Sequence, residues 1–357
     1  MSGRRRYRAC MLLVWVPLWF GCGGRQRAAA HSSAGSRLYV SDETGGNVDV
    51  VAPDSGRMIE RIAVGKRPRG IALSRDGRLI YVALSGSPIG GPGVDESKRP
   101  PADRTADGIG VVDTSARRLV RTFRSGIDPE AFGLSPDGRM LYVSNEDSGE
   151  MSAVDLGSGE VTWHVKVGDE PEGVAVRPDN KVIYITCEAS NFVDVVDAAS
   201  HEVVAQIATS PRPRAIAFTR DGKTAFVSDE NGGAVTVVDA VAHRGVATIE
   251  MPREAGQQIP PRPMGLVFTP DLRTLFVSLG RAQSVAEIDP ETRRVTHVID
   301  GVGGRPWGMA VSGDGRRLYT ANGPSGDVSV LDVQSRAVVQ RIPVGGSPWG
   351  VALAEPQ

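Results

Sequence analysis

Between Arg37 and Leu353 the hydrophobic positions come in short runs, each closed by turn residues. Residues 213–251 show the unit most clearly. "RAIAFT" is an apolar strand, "RDGK" is a turn, and "TAFVSD", "AVTVVD" and "GVATIEM" are three further strands. The runs are rich in Val, Ile, Phe and Thr, which fit a pleated surface. A 3.6-residue period is absent, so the pattern predicts strands and not amphipathic helices. Glycine in the Asp-Gly turns supplies the positive φ that a tight reversal needs.

The unit repeats. Its second strand carries an aromatic residue at Tyr39, Tyr81, Tyr142, Tyr184, Phe226, Phe276 and Tyr319, with gaps of 42, 61, 42, 42, 50 and 43. Seven copies with a basic period near 42, two of them lengthened by insertions, have the spacing of propeller blades. The expected fold is all-β: a seven-bladed β-propeller of four-stranded antiparallel blades over residues 37–357. The first copy lacks an innermost strand. The segment Pro348–Leu353 is an innermost strand without its other three. Pairing these two pieces would complete one blade and close the ring, which removes open sheet edges.

Composition adds a compartment. The chain has 357 residues and a formal net charge of −1, so no global field draws it to nucleic acid or to an anionic membrane. Residues 1–36 read as an export signal and linker: Arg4, Arg5, Arg6 and Arg8 precede an apolar run from Met11 to Phe20, too short to span a bilayer. Two processing sites compete. One is cleavage before Cys22 with lipid on that cysteine, although Trp19 stands where such a box prefers Leu. The other is cleavage after Ala30. A periplasmic or outer-envelope location is expected, with membrane contact only through Cys22. Cys187 is the single cysteine outside the signal region, so no internal disulfide is expected. A monomer is expected.

The phrases themselves carry a resemblance. "YVSN"-like strands, Pro-X-Gly openings and Asp-Gly turns are similar to those of the YVTN-repeat β-propeller family. "RPRGIALSRDG", "DPEAFGLSPDG", "EPEGVAVRPDN", "RPRAIAFTRDG" and "SPWGV" more narrowly resemble, in that order, the β-propeller proteins associated with PQQ-dependent catabolism. That resemblance implies a periplasmic accessory of quinoprotein alcohol oxidation. The insertion at 85–108 departs from the pattern.

Strands alternate direction, so the loop leading into each innermost strand and the loop joining strands two and three share one face. Binding residues usually sit on such loops over a rigid scaffold. The residue after each leading proline is Arg69, Glu130, Glu172, Arg214, Met264, Trp307 or Trp349. The fourth residue after each repeat aromatic is Glu43, Ser85, Glu146, Glu188, Glu230, Gly280 or Gly323. The first set is expected to point at the channel mouth, and the second to form a ring with four glutamates. Ligand carboxylates would meet Arg69 and Arg214, and a flat ring would meet Trp307 or Trp349. The competing reading pairs Arg with Glu as structural ion pairs and makes the tryptophans a plug. Insertions 85–108 and 253–263 reach the same rim, the first as a lid or as a loose surface loop.

Other residues are set aside. Asp113, Asp155, Asp197, Asp239, Asp289 and Asp332 end third strands and are expected to cap the next turn. His164, His201, His243 and His297 do not converge, and no Cys-X-X-Cys-His is present, so neither a metal nor a haem cofactor is expected. The expected function is non-enzymatic binding of a small ligand or a periplasmic partner protein at the mouth. Two alternatives stay open: a lactonase-like hydrolase with a divalent cation on the glutamates, and a structural or adhesive surface lipoprotein.

Overall fold

The computed structural model describes residues 35–90, 98–253 and 261–356. Cys22, Ala30 and the rest of the proposed export signal through residue 34 lie outside the described residues. So do 91–97 and 254–260, the middles of the two insertions.

From Arg37 onward the chain forms seven four-stranded antiparallel sheets. The strands Pro213–Phe218, Thr224–Asp229, Ala234–Asp239 and Arg244–Glu250 reproduce the unit read from 213–251. Gly222 in its first turn takes φ 67°. The closing blade joins Pro348–Ala354 to Arg37–Asp42, followed by Asn47–Ala52 and Arg57–Ala63. The two ends of the ring are thus one sheet, with Leu38 opposite Leu353 and Val40 opposite Val351.

The core lies between blades rather than within one. Seven buried clusters each take side chains from two consecutive blades; one joins Leu38, Val40 and Val51 to Tyr319, Val328 and Ile342. Second strands such as Val182–Cys187 are buried throughout because a blade covers each of their faces. Outermost strands such as Val203–Ala208 alternate, with one face in water. The seven repeat aromatics are all buried, the most exposed at 7%.

The hydroxyl two places after the aromatic explains why the repeat phrase ends in Ser or Thr. Ser41, Ser144, Thr186, Ser228 and Ser278 each donate to a carbonyl of the next blade, at Arg69, Glu172, Arg214, Met264 and Trp307 respectively, over 2.5–2.9 Å. The same oxygens accept an N–H from their own innermost strand, as Ala215 N–H does to Ser228 at 3.0 Å. Each latch therefore fixes the backbone of a residue in the leading-proline column. Where the phrase has Ala83, the backbone substitutes: Gly70 N–H donates directly to the Glu130 carbonyl at 3.2 Å.

Candidate functional site

Both sequence columns arrive at one end of the ring. Glu43, Arg69, Glu146, Glu172, Glu188, Arg214, Glu230, Trp307 and Trp349 line one cavity of about 720 Å³. A second cavity of about 300 Å³ has an apolar wall that includes Ile71, Phe132, Val174, Ile216, Leu266 and Met309. Glu172, Arg214, Trp307 and Trp349 line both cavities and so form the throat between them. Two residues depart from expectation. Glu130 is fully buried against Arg69 and does not line the mouth, and Met264 faces the second cavity.

The arginines offered for a ligand carboxylate already hold protein carboxylates. Arg214 meets Glu172 at 3.0 Å, Glu230 at 2.9 Å, and Glu188. Arg69 meets Glu43 at 2.9 Å, and Glu130. The cause is geometric. An arginine after a leading proline lies between the glutamates of its own or flanking blades, so the two columns interdigitate around the ring. Burial by itself would weaken the proton on Arg214, but Glu172, Glu188 and Glu230 hold it more firmly than usual. The structural ion-pair reading describes these two residues.

A third column escaped the sequence reading. The residue before six of the seven leading prolines is Arg67, Asp128, Glu170, Arg212, Arg262 or Arg305, and all six line the mouth; before Pro348 it is Ser347. Five of them are left-handed, with φ of 43° at Arg67, 58° at Asp128, 50° at Glu170, 63° at Arg212 and 53° at Arg305. A residue before proline ordinarily takes an extended conformation, so this backbone is strained. Stepping the column count back by one place would have found them, since six of the seven are ionic. Arg212 meets Glu188 at 2.8 Å and Glu230 at 3.1 Å, and Arg67 meets Glu43 at 3.3 Å.

The carboxylates are unevenly served. Burial pushes the Glu188 carboxyl up to about 8, and Glu172 and Glu146 add to it against the pull of Arg214 and Arg212. Burial and the Glu172 charge push Glu146 up to about 7, with Arg69 pulling the other way. Glu43 goes below the usual carboxylate range: burial opposes this, but Arg69 and Arg67 outweigh it. Carboxylate oxygens of Asp128, Glu130 and Glu146 lie within 4.8 Å of one another. Asp128 and Glu130 meet Arg67 and Arg69. Glu146 is the member of this trio without a cation partner among the described residues.

The described arms of the first insertion are a pinned wall of the mouth. Gly86 N–H donates to Asp107 at 2.6 Å, Lys66 meets Asp103 at 2.8 Å, and Arg104 meets Asp147 and donates to the Ser87 hydroxyl at 2.9 Å. Ser87, Pro88, Ala102 and Arg104 line the cavity. The residues set aside behave as their chemistry predicts. Asp197 Oδ1 accepts from Ala199 N–H and Ser200 N–H at 3.0 and 2.8 Å. His243 Nδ1 shares a hydrogen bond with the Tyr184 hydroxyl at 2.7 Å, and His201 stacks on Trp163. Cys187 is buried, and burial pushes its thiol up.

Comparisons with known proteins agree on the architecture. A family model described as YNCE-like beta-propeller matches residues 101–217. Antigen Lp49 of Leptospira interrogans serogroup Icterohaemorrhagiae serovar copenhageni (strain Fiocruz L1-130) is 26% identical over 125 residues. That match takes in 35% of this chain and 26% of the antigen, about a quarter of its length. Among solved structures, the Pseudomonas aeruginosa periplasmic gluconolactonase superposes with a TM-score of 0.72 at 21% identity, over 90% of this chain and 99% of that one. Kuenenia stuttgartiensis hydrazine synthase gives 0.66 at 23%, over 81% and 90%. A putative 6-phosphogluconolactonase from Bacteroides fragilis NCTC 9343 gives 0.70 at 16%, over 90% and 99%. At these identities the structural likeness is one of fold: the chain is a seven-bladed β-propeller, closed by its last strand.

Proposed function

We propose that this propeller is an exported binding protein whose mouth takes a small polar molecule. The observation that supports this reading best is a roomy cavity with mostly ionic walls beside two tryptophans, on backbone tied by latches between blades. A purely structural ion-pair ring would close on itself, whereas this one surrounds about 720 Å³. The resemblance of the repeat phrases to PQQ-associated propellers supports a place beside a periplasmic quinoprotein. Native mass spectrometry of the protein from its own envelope fraction, with and without cross-linking, tests both parts. The expected result is a small-molecule adduct and a cross-linked quinoprotein dehydrogenase. An apo mass together with a cross-linked protein of another kind would transfer the mouth to protein docking.

One observation favours a second reading, lactonase-like hydrolysis. Glu146 is a carboxyl held near neutral pH in an open cavity, which suits a general base for water. Two of the superposed structures are a gluconolactonase and a putative 6-phosphogluconolactonase. Glucono-1,5-lactone followed in a pH-stat should then open faster than its spontaneous rate, and Glu146→Gln should return it to that rate. Equal rates with and without protein would remove this reading.

A further inference from the structure

The charge pattern of the mouth leaves one corner with an excess of positive charge. Arg67, Arg69, Arg104, Arg212, Arg214 and Arg262 each meet a carboxylate within 4 Å. Arg281 and Arg305 also line the cavity and, among the described residues, meet none. Arg305 is half-buried and left-handed, and its guanidinium stands 4.5 Å from the centre of the Trp307 ring. Trp307 in turn stacks on Trp349, with centroids 5.7 Å apart and planes inclined by 22°. Arg305 feels Glu230 as its nearest counter-charge but has Arg281, Arg214 and Arg212 against it, so positive charge is in excess here and an anion would be favoured.

The repeat also clears space here. Four blades carry a glutamate at the fourth position after the aromatic, whereas the two blades that carry Arg281 and Arg305 have Gly280 and Gly323. A Cβ at 323 would stand 3.4 Å from the Trp307 indole nitrogen, and one at 280 would stand 3.5 Å from Arg305 Cγ. A glutamate at either place would start in contact with the indole or the arginine stem and would bring a carboxylate to this corner. The repeat therefore places no glutamate of this column beside Arg281 and Arg305, whose guanidinium groups meet no carboxylate within 4 Å among the described residues and stand by a flat aromatic wall.

We propose that Arg281, Arg305 and the Trp307–Trp349 stack form a subsite for a planar aromatic carboxylate, its carboxylate on the guanidinium groups and its ring against the indoles. The planar fork of arginine matches a carboxylate in a bidentate manner, and indole faces select flat rings. This rests on the reading of the mouth as a small-molecule site. It moves ligand recognition away from Arg69 and Arg214, whose carboxylate partners are already in place.

The test uses the full chain and three probes: benzene-1,3-dicarboxylate, cyclohexane-1,3-dicarboxylate with the same charge but no flat ring, and benzene-1,3-dicarboxamide with the ring but no charge. Binding is read by calorimetry and by indole fluorescence. The aromatic diacid is expected to bind and to quench, and each control to bind at least about tenfold more weakly, a difference of about 1.4 kcal/mol. Arg281→Gln/Arg305→Gln should weaken the aromatic diacid by about the same factor, with the melting temperature unchanged. Arg305→Lys, which keeps the charge and loses the fork, should fall between. Equal binding of the saturated diacid overturns the role of the ring, and an unchanged Kd in the double variant overturns the subsite. If an envelope-derived adduct survives the double variant, the mouth remains a binding site and this corner is not its anchor. If neither adduct nor probe binds, both readings fall.

Discussion

Deleting residues 347–357 should abolish cooperative unfolding of the whole ring, not merely loosen one blade. The strand Pro348–Ala354 is the innermost member of the blade begun by Arg37–Asp42. Gly350 N–H donates to the Ser41 hydroxyl at 2.9 Å, Ser347 N–H to Asp42 at 2.7 Å, and Glu43 N–H to the Ser347 carbonyl at 3.0 Å. Val351 packs in the cluster that joins the first and last blades. Each lost hydrogen bond contributes about 0.5–1.5 kcal/mol net, and burial of an aliphatic side chain about 1.5–3 kcal/mol. Together these approach the roughly 5–15 kcal/mol that separates folded from unfolded domains. The deletion also leaves Arg37–Asp42 with an open edge. Scanning calorimetry should show the main transition lost or greatly lowered. Val351→Asp, which spares the backbone ladder and Trp349, should move it in the same direction. A truncated chain that melts at the wild-type temperature would show that the ring does not depend on this closure.

Arg214→Met should be the most damaging substitution in the mouth, and its effect should depend on pH. Arg214 is the shared partner of Glu172, Glu188 and Glu230, each at most 7% exposed. Removing it leaves buried Glu172 without an ion-pair partner among the described residues, and leaves Glu188 to Arg212 and Glu230 to Arg212 and Arg262; stranding a buried charge costs about 3–5 kcal/mol. Glu188 is already raised to about 8 in the folded protein, above its value near 4.3 in an unfolded chain. The folded state therefore binds more protons than the unfolded state between those values, so this group's contribution to stability falls as pH rises through that window. Without Arg214 the folded value moves further up. The deficit of the variant should be largest at pH 8 and should shrink towards pH 5, where the Glu188 carboxyl is protonated in the fold. Denaturant melts at both pH values measure this. A deficit that is equal at both, or larger at pH 5, would show that Arg214 acts through packing and not through its charge.

The sequence by itself determined the ring. A period near 42, an aromatic in each second strand and Asp-Gly turns leave few other ways to bury so many short strands, and the orphan strand at Pro348 implied its partner at Arg37. Local chemistry also showed through, in the Asp residues that cap third strands and in the isolation of the histidines. What a column of repeat residues meets across the ring was not legible. Arg69 and Arg214 look like free ligand cations when the chain is read blade by blade, because most of their partners are on neighbouring blades, as far as 61 positions away for Glu130 from Arg69. Arg305 looks like one more arginine in a loop, and only its left-handed backbone, its seat over Trp307 and the glycines facing it set it apart. Secondary structure and closure follow from interactions within and between adjacent strands, which the repeat encodes directly. The compensation of charge is decided by side chains that converge on an axis from seven separate stretches of sequence, and only the tertiary structure brings those together.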